Sequence, residues 1–199
     1  MRFVLKTQPY EKPIAAGSFR YEQDGVSLDI VEHWSLNHAL DGYKFFRVDV
    51  DGRNLKTDGY STLYNVVLSP DGQPENVKFR HFTTAPVAAD NGLKVKGQIV
   101  FDDGLIYVSR EISDMRYEDE FAVSLGLGLP VAARWLQEVT EPVEATSDKM
   151  LTLNDKDQFQ PSMIETRTEV LETAENGYPT KVQLPNGTIA VSTRLTIYR

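Results

Sequence analysis

Nine times in 199 residues the chain places Asp-Gly or Asn-Gly, at Asp24, Asp41, Asp51, Asp58, Asp71, Asn91, Asp103, Asn176 and Asn186. Both residues of such a pair tolerate positive φ, which two-residue hairpin turns require at successive positions. Nine of the thirteen glycines sit in these pairs, so glycine here is first of all a turn residue. Between the pairs lie segments rich in Val, Ile, Tyr, Phe and Thr, which suit a pleated, half-buried surface. Turn signals at this density predict an all-β fold. The expectation is a single antiparallel meander of about twelve strands, curled into a half-barrel or barrel and formed by residues 1–199 as one β domain.

The expected strands are 17–23, 26–36, 43–50, 60–69, 76–84, 93–101, 105–112, 116–125, 147–153, 163–173, 179–184 and 188–198. One stretch departs from this pattern. Over 129–139, Val131, Trp135 and Val139 recur at helical spacing, and Pro130 is tolerated in a first helical turn, where its missing N–H costs nothing. A short helix near 129–139, packed by Trp135, is expected there.

Alternation gives most strands one apolar face, as antiparallel sheets show. Val26, Leu28, Ile30 and Trp34 share one parity, and Ile189, Val191, Thr193, Leu195 and Ile197 share another. Polar groups on the apolar parity are then the candidates for a site. Glu32 lies between Ile30 and Trp34, His81 follows Val77 and Phe79, and Tyr64 accompanies Val66 and Leu68. Arg110 lies between Val108 and Ile112, and Asp119 between Tyr117 and Phe121. Buried charges must be paired and hydrogen-bonded, or they neutralise. The structural reading pairs Arg110 with Asp119 across a hairpin and makes Glu32 and His81 satisfied core groups. The functional reading makes Glu32, Tyr64, His81, Arg110, Asp119 and Trp135 the ligand-binding residues of an apolar pocket with a few convergent polar groups.

Several chemistries are disfavoured by composition. With no cysteine there is no disulfide, thiolate metal site or cysteine nucleophile. Three histidines leave little material for a zinc site, and His33 has the opposite parity to Glu32. Asp49 to Asn54 resembles an oxygen-ligand calcium loop but has Ser61 where the distal acid belongs, so a hairpin turn explains it better. Neither a G-x-S-x-G nucleophile setting nor a phosphate-cradling glycine loop is present; Leu125 to Leu129 alternates Leu and Gly without the Lys such a loop needs. No metal, cofactor or catalytic residue is expected.

The net charge is −8, all of it from residues 102–199, which hold seventeen acids against nine bases. Tyr43, Phe45, Phe79 and Phe82 stand near Lys44, Arg47, Lys78 and Arg80, an aromatic and basic mixture that stacks bases in some proteins. An acidic chain is nonetheless a poor partner for phosphate backbones, and no nucleic-acid partner is expected. No apolar run is long enough for a membrane-spanning helix, and the N-terminus lacks a signal-peptide core. A cytoplasmic chain fits, as does a mature secreted or periplasmic one.

In strand number and its one packed helix, the pattern is similar to curved antiparallel half-barrels such as bacterial lipoprotein-carrier and glycolipid-binding proteins. The resemblance is one of shape and implies a lipophilic small-molecule partner. The expected function is therefore non-enzymatic binding of an apolar or amphipathic, lipid-like molecule on a concave sheet, with 126–139 as a plug. The alternatives are an enzyme using Glu32, His81 or Arg110 in that pocket, and a structural or protein-interaction domain that forms a homodimer through an apolar patch or open strand edge.

Overall fold

The computed structural model describes residues 7–56, 59–83, 92–122, 126–128, 130–133, 149–154, 159–165, 169–184 and 186–199. Its strands are β1 (Lys12–Gln23), β2 (Val26–His38), β3 (Lys44–Asp51), β4 (Tyr60–Leu68), β5 (Pro74–Thr83), β6 (Leu93–Asp102) and β7 (Leu105–Ile112). They continue as β8 (Met115–Ala122), β9 (Gly126–Gly128), β10 (Lys149–Asn154), β11 (Gln160–Glu165), β12 (Glu169–Thr173), β13 (Pro179–Gln183) and β14 (Ile189–Ile197). Eleven form one sheet in the order β12-β13-β14-β1-β2-β3-β4-β5-β6-β7-β8, antiparallel throughout. The last strand pairs with the first, and the sheet stays open between edge strands β8 and β12, so the architecture is the half-barrel rather than the closed barrel.

Three features depart from a simple meander. The expected strand over 163–173 is two strands in different sheets, β11 ending at Glu165 and β12 starting at Glu169. A second, three-stranded sheet holds β11, β10 and β9, and β9 runs parallel to β10. Val26, placed on the apolar parity, is 65% exposed, since it opens β2 at the hairpin end opposite the exposed Gln23, while Leu28 and Ile30 of the same parity pack against the core. Of the expected helix, residues 131–133 are helical; 134–139, and with them Trp135, lie outside the described residues.

The turns follow the chemistry of their residues. Asp24-Gly25 and Asp103-Gly104 have positive φ at both positions, as in a type I′ turn. At Asn176-Gly177 and Asn186-Gly187 only the glycine is left-handed, and each Asn side chain instead accepts the amide two residues on. These are longer turns closed by a left-handed glycine, not the type I′ turn that Asn-Gly favours at 186.

Cross-strand register sorts the inner face into rows. One runs Phe19, Glu32, Val50, Thr62, His81 across β1 to β5. The next runs Gly17, Trp34, Val48, Tyr64, Phe79, Gly97, Arg110, Tyr117. A third, Leu36, Phe46, Val66, Val77, Ile99, Val108, is almost wholly buried and ends at Asp119 on edge strand β8. These rows, with Val131, Ala132, Ala133 and Phe159 laid against them, form one apolar core.

Candidate functional site

Glu32 is the most deeply placed ionisable residue on the inner face, with 0% exposure. Its Oε2 accepts the Tyr21 hydroxyl at 2.5 Å and the Val131 amide at 3.0 Å, and its Oε1 accepts the Ala132 amide at 2.8 Å. The first amides of a helical turn have no intrahelical acceptor, so a carboxylate there satisfies orphan donors and the positive end of the turn together. Burial pushes the Glu32 carboxyl above the ordinary glutamate range, against the downward pull of the three hydrogen bonds. Burial and the neighbouring carboxylate push the Tyr21 phenol well above its usual value.

His81 occupies the same row as Glu32, three strand spacings away, or about 14 Å between backbones. Its Nδ1 shares a hydrogen bond of 2.8 Å with Thr62 Oγ1. Its ring stacks on Tyr60 with centroids 5.6 Å apart, and meets Phe159 at 4.9 Å. Phe159 is 1% exposed and has φ 60, a conformation that costs a bulky residue steric strain. Packing between Phe79, at 5.2 Å, and His81 offsets that cost.

Tyr64 and Arg110 share the second row. Tyr64 packs against Phe79 at 6.3 Å. Arg110, 8% exposed, donates to Asp119 at 3.1 Å and lies over the Tyr117 ring at 5.3 Å, so the cross-hairpin pairing is realised. Its Nε is buried with no partner among the described residues. Glu32, His81, Tyr64 and Arg110 therefore share one face but do not converge on one cleft. Arg110 stands five strands from Glu32 in the sheet order. Both oxygens of Glu32 already accept hydrogen bonds, two at Oε2 and one at Oε1.

Sequence reasoning missed Tyr21 and Phe159. Tyr21 shares the inward parity of Ala15, Gly17 and Phe19, so alternation along β1 carried a signal for it. Phe159 had a weak signal, as the lone aromatic in the polar run from Asp155 to Gln160. The calcium-like stretch is a loop held by Asp51, whose carboxylate takes the backbone amide and guanidinium of Arg53. Among the described residues no group of three or more acidic or histidine side chains is placed to hold a metal, and no helix is long and apolar enough to cross a membrane. No family model, no curated protein and no solved structure matches this chain.

Proposed function

We propose that this protein is a non-enzymatic binding module for an apolar or amphipathic, lipid-like small molecule, taken up against the inner face of the eleven-stranded sheet. The supporting observation is how that face is covered. A helical turn, 131–133, lies on it and is held by two hydrogen bonds to one carboxylate, Glu32. Beneath it are apolar rows interrupted by Tyr21, Glu32, Thr62 and His81, an apolar wall with a few orienting polar groups. A ligand with a hydroxyl or amide donor takes the place of the Val131 and Ala132 amides on Glu32, and its apolar body takes the place of the turn.

The test is native mass spectrometry of the purified protein with an organic extract of the same sample, followed by titration with N-phenylnaphthylamine. A lipophilic species in the extract, or saturable fluorescence of the probe, is the expected result. Glu32→Gln, which loosens the plug, should bind the probe faster than the wild type. An empty extract together with no saturable fluorescence from the wild-type protein would overturn the proposal.

A further inference from the structure

The opposite face of the sheet carries a concavity of about 380 Å³, lined from β4, β5, β6, β7 and β8. Register makes it the meeting of two adjacent outer rows. One runs Leu63, Arg80, Lys96, Glu111, Arg116, and the other Asn65, Lys78, Gln98, Ser109. The volume lies within the range of small-molecule sites. Of the nine lining residues on these two rows, four are Lys or Arg and one is acidic, in a chain whose net charge is −8; the other three lining residues, Phe79, Gly97 and Arg110, belong to the inner row. So local a reversal of sign focuses the field on an anion.

Neutralisation within the fold is uneven. Arg47, just beyond the concavity, is held by Glu11 through two bonds of 2.6 Å. Lys96 pairs with Glu111 at 2.6 Å, and Arg116 with Glu118 at 2.7 Å. Lys78 and Arg80, two positions apart on β5, have no acidic partner among the described residues. Their spacing of about 7 Å along the strand, with Lys96 one strand away, brings cations toward an anion from several sides. A tetrahedral anion uses such an arrangement more fully than a planar one.

The second row supplies neutral partners. Asn65, Gln98 and Ser109 offer amide and hydroxyl groups, and Asn65 Oδ1 is buried without a hydrogen-bond partner. A buried acceptor left unmet is costly, and a ligand hydroxyl would satisfy it. Leu63 is buried, at 5% exposure, yet belongs to no part of the core cluster, because it faces this concavity from the outer side. It gives the site a small apolar floor.

We infer that this outer concavity binds a small phosphorylated polyol, with Lys78, Arg80 and Lys96 on the phosphate and Asn65 on a hydroxyl. The site is on the face opposite the proposed plug and does not depend on it. Calorimetric titration with myo-inositol monophosphate, beside myo-inositol and inorganic phosphate, tests it. The monophosphate should bind more tightly than either fragment, less so at high salt, and about tenfold or more weakly in Lys78→Gln/Arg80→Gln. Those two side chains are exposed, so the double variant should melt with the wild type. Asn65→Leu should erase the advantage over inorganic phosphate while leaving inorganic phosphate binding in place. Absence of binding, or binding undiminished in the double variant, overturns the site. Equal affinity for inorganic phosphate overturns the polyol assignment.

Discussion

The Glu32 carboxylate and the Val131 amide are 99 residues apart in sequence and meet at 3.0 Å in the interior. Through this contact and its companion to Ala132 at 2.8 Å, one side chain of β2 fixes a helical turn on the sheet. Glu32→Gln replaces an acceptor oxygen with a donor that faces amide donors. A loss of about 2–4 kcal/mol in urea unfolding is expected. Tyr21→Phe, which removes one donor only, should lose about 1 kcal/mol. Hydrogen exchange separates pinning from a general loss of stability. In Glu32→Gln the amides of 131 and 132 should exchange much faster, relative to those of β3, than in the wild type. Unchanged relative protection would show that the turn is held by packing alone.

Two buried glutamates should respond to pH with opposite sign. At Glu11, burial raises the carboxyl, but the Arg47 guanidinium and the Gln8 amide outweigh it and hold it below the ordinary range. The unfolded chain therefore takes up this proton first on acidification. The stability Glu11 contributes is present above the ordinary glutamate pKa and is lost as pH falls through the lowered folded value. Glu32 is the reverse, since its folded carboxyl is raised. Its contribution is complete below the ordinary glutamate pKa and is lost as pH rises through the raised value. Urea midpoints at stepped pH should show Glu11→Gln losing part of the acid-side slope and Glu32→Gln losing part of a decline on the alkaline side of the ordinary glutamate range. A decline there that survives Glu32→Gln would assign it to another group.

Much of the main sheet was legible, because turn chemistry and alternation are local. The Asp24-Gly25 and Asp103-Gly104 hairpins, and the inward parity of Glu32, His81 and Arg110, depend on neighbours along the chain or in one hairpin. What closed the interior was not local. Neither the Glu32 contact to Val131 nor the Phe159 ring against Phe79 leaves a periodic trace, since the partners come from distant segments. The outer concavity was half legible. Lys78 and Arg80 stood out as basic, but only register places Lys96, Arg116 and Asn65 beside them.

One hairpin formed without the expected residues. Ser113 (φ 48) and Asp114 (φ 67) join β7 to β8 with both central positions left-handed, a geometry for which Asn-Gly is the better pair. Ser113→Asn with Asp114→Gly should therefore stabilise the protein by about 0.5–1 kcal/mol, the relief of left-handed strain being partly offset by a more flexible unfolded chain. Thermal or urea unfolding checks this. A destabilised double variant would mean that the Ser113 or Asp114 side chain makes a contact worth more than the strain.

Gly97 and Phe79 are direct partners on β6 and β5, and the Phe79 ring covers the position a side chain at Gly97 would need. A methyl group there would also lie 2.5 Å from the Ser109 carbonyl oxygen. Gly17 and Trp34 repeat the arrangement in the same row, where a methyl would lie 2.8 Å from the indole and 2.7 Å from the Arg194 carbonyl. In both places glycine lets an aromatic ring lie close against the neighbouring strand. Gly97→Ala should cost about 1–3 kcal/mol by overpacking, and Phe79→Ala about 3–5 kcal/mol, since that ring is 1% exposed and stacks on Phe159. The two losses should not add. With the ring gone, the closest contact left to the new methyl is the Ser109 carbonyl oxygen, so the double variant should be more stable than the sum predicts by about 0.5 kcal/mol or more. A double-mutant cycle in urea measures this coupling directly. Additive losses would show that the Ser109 backbone, and not the Phe79 ring, keeps position 97 a glycine.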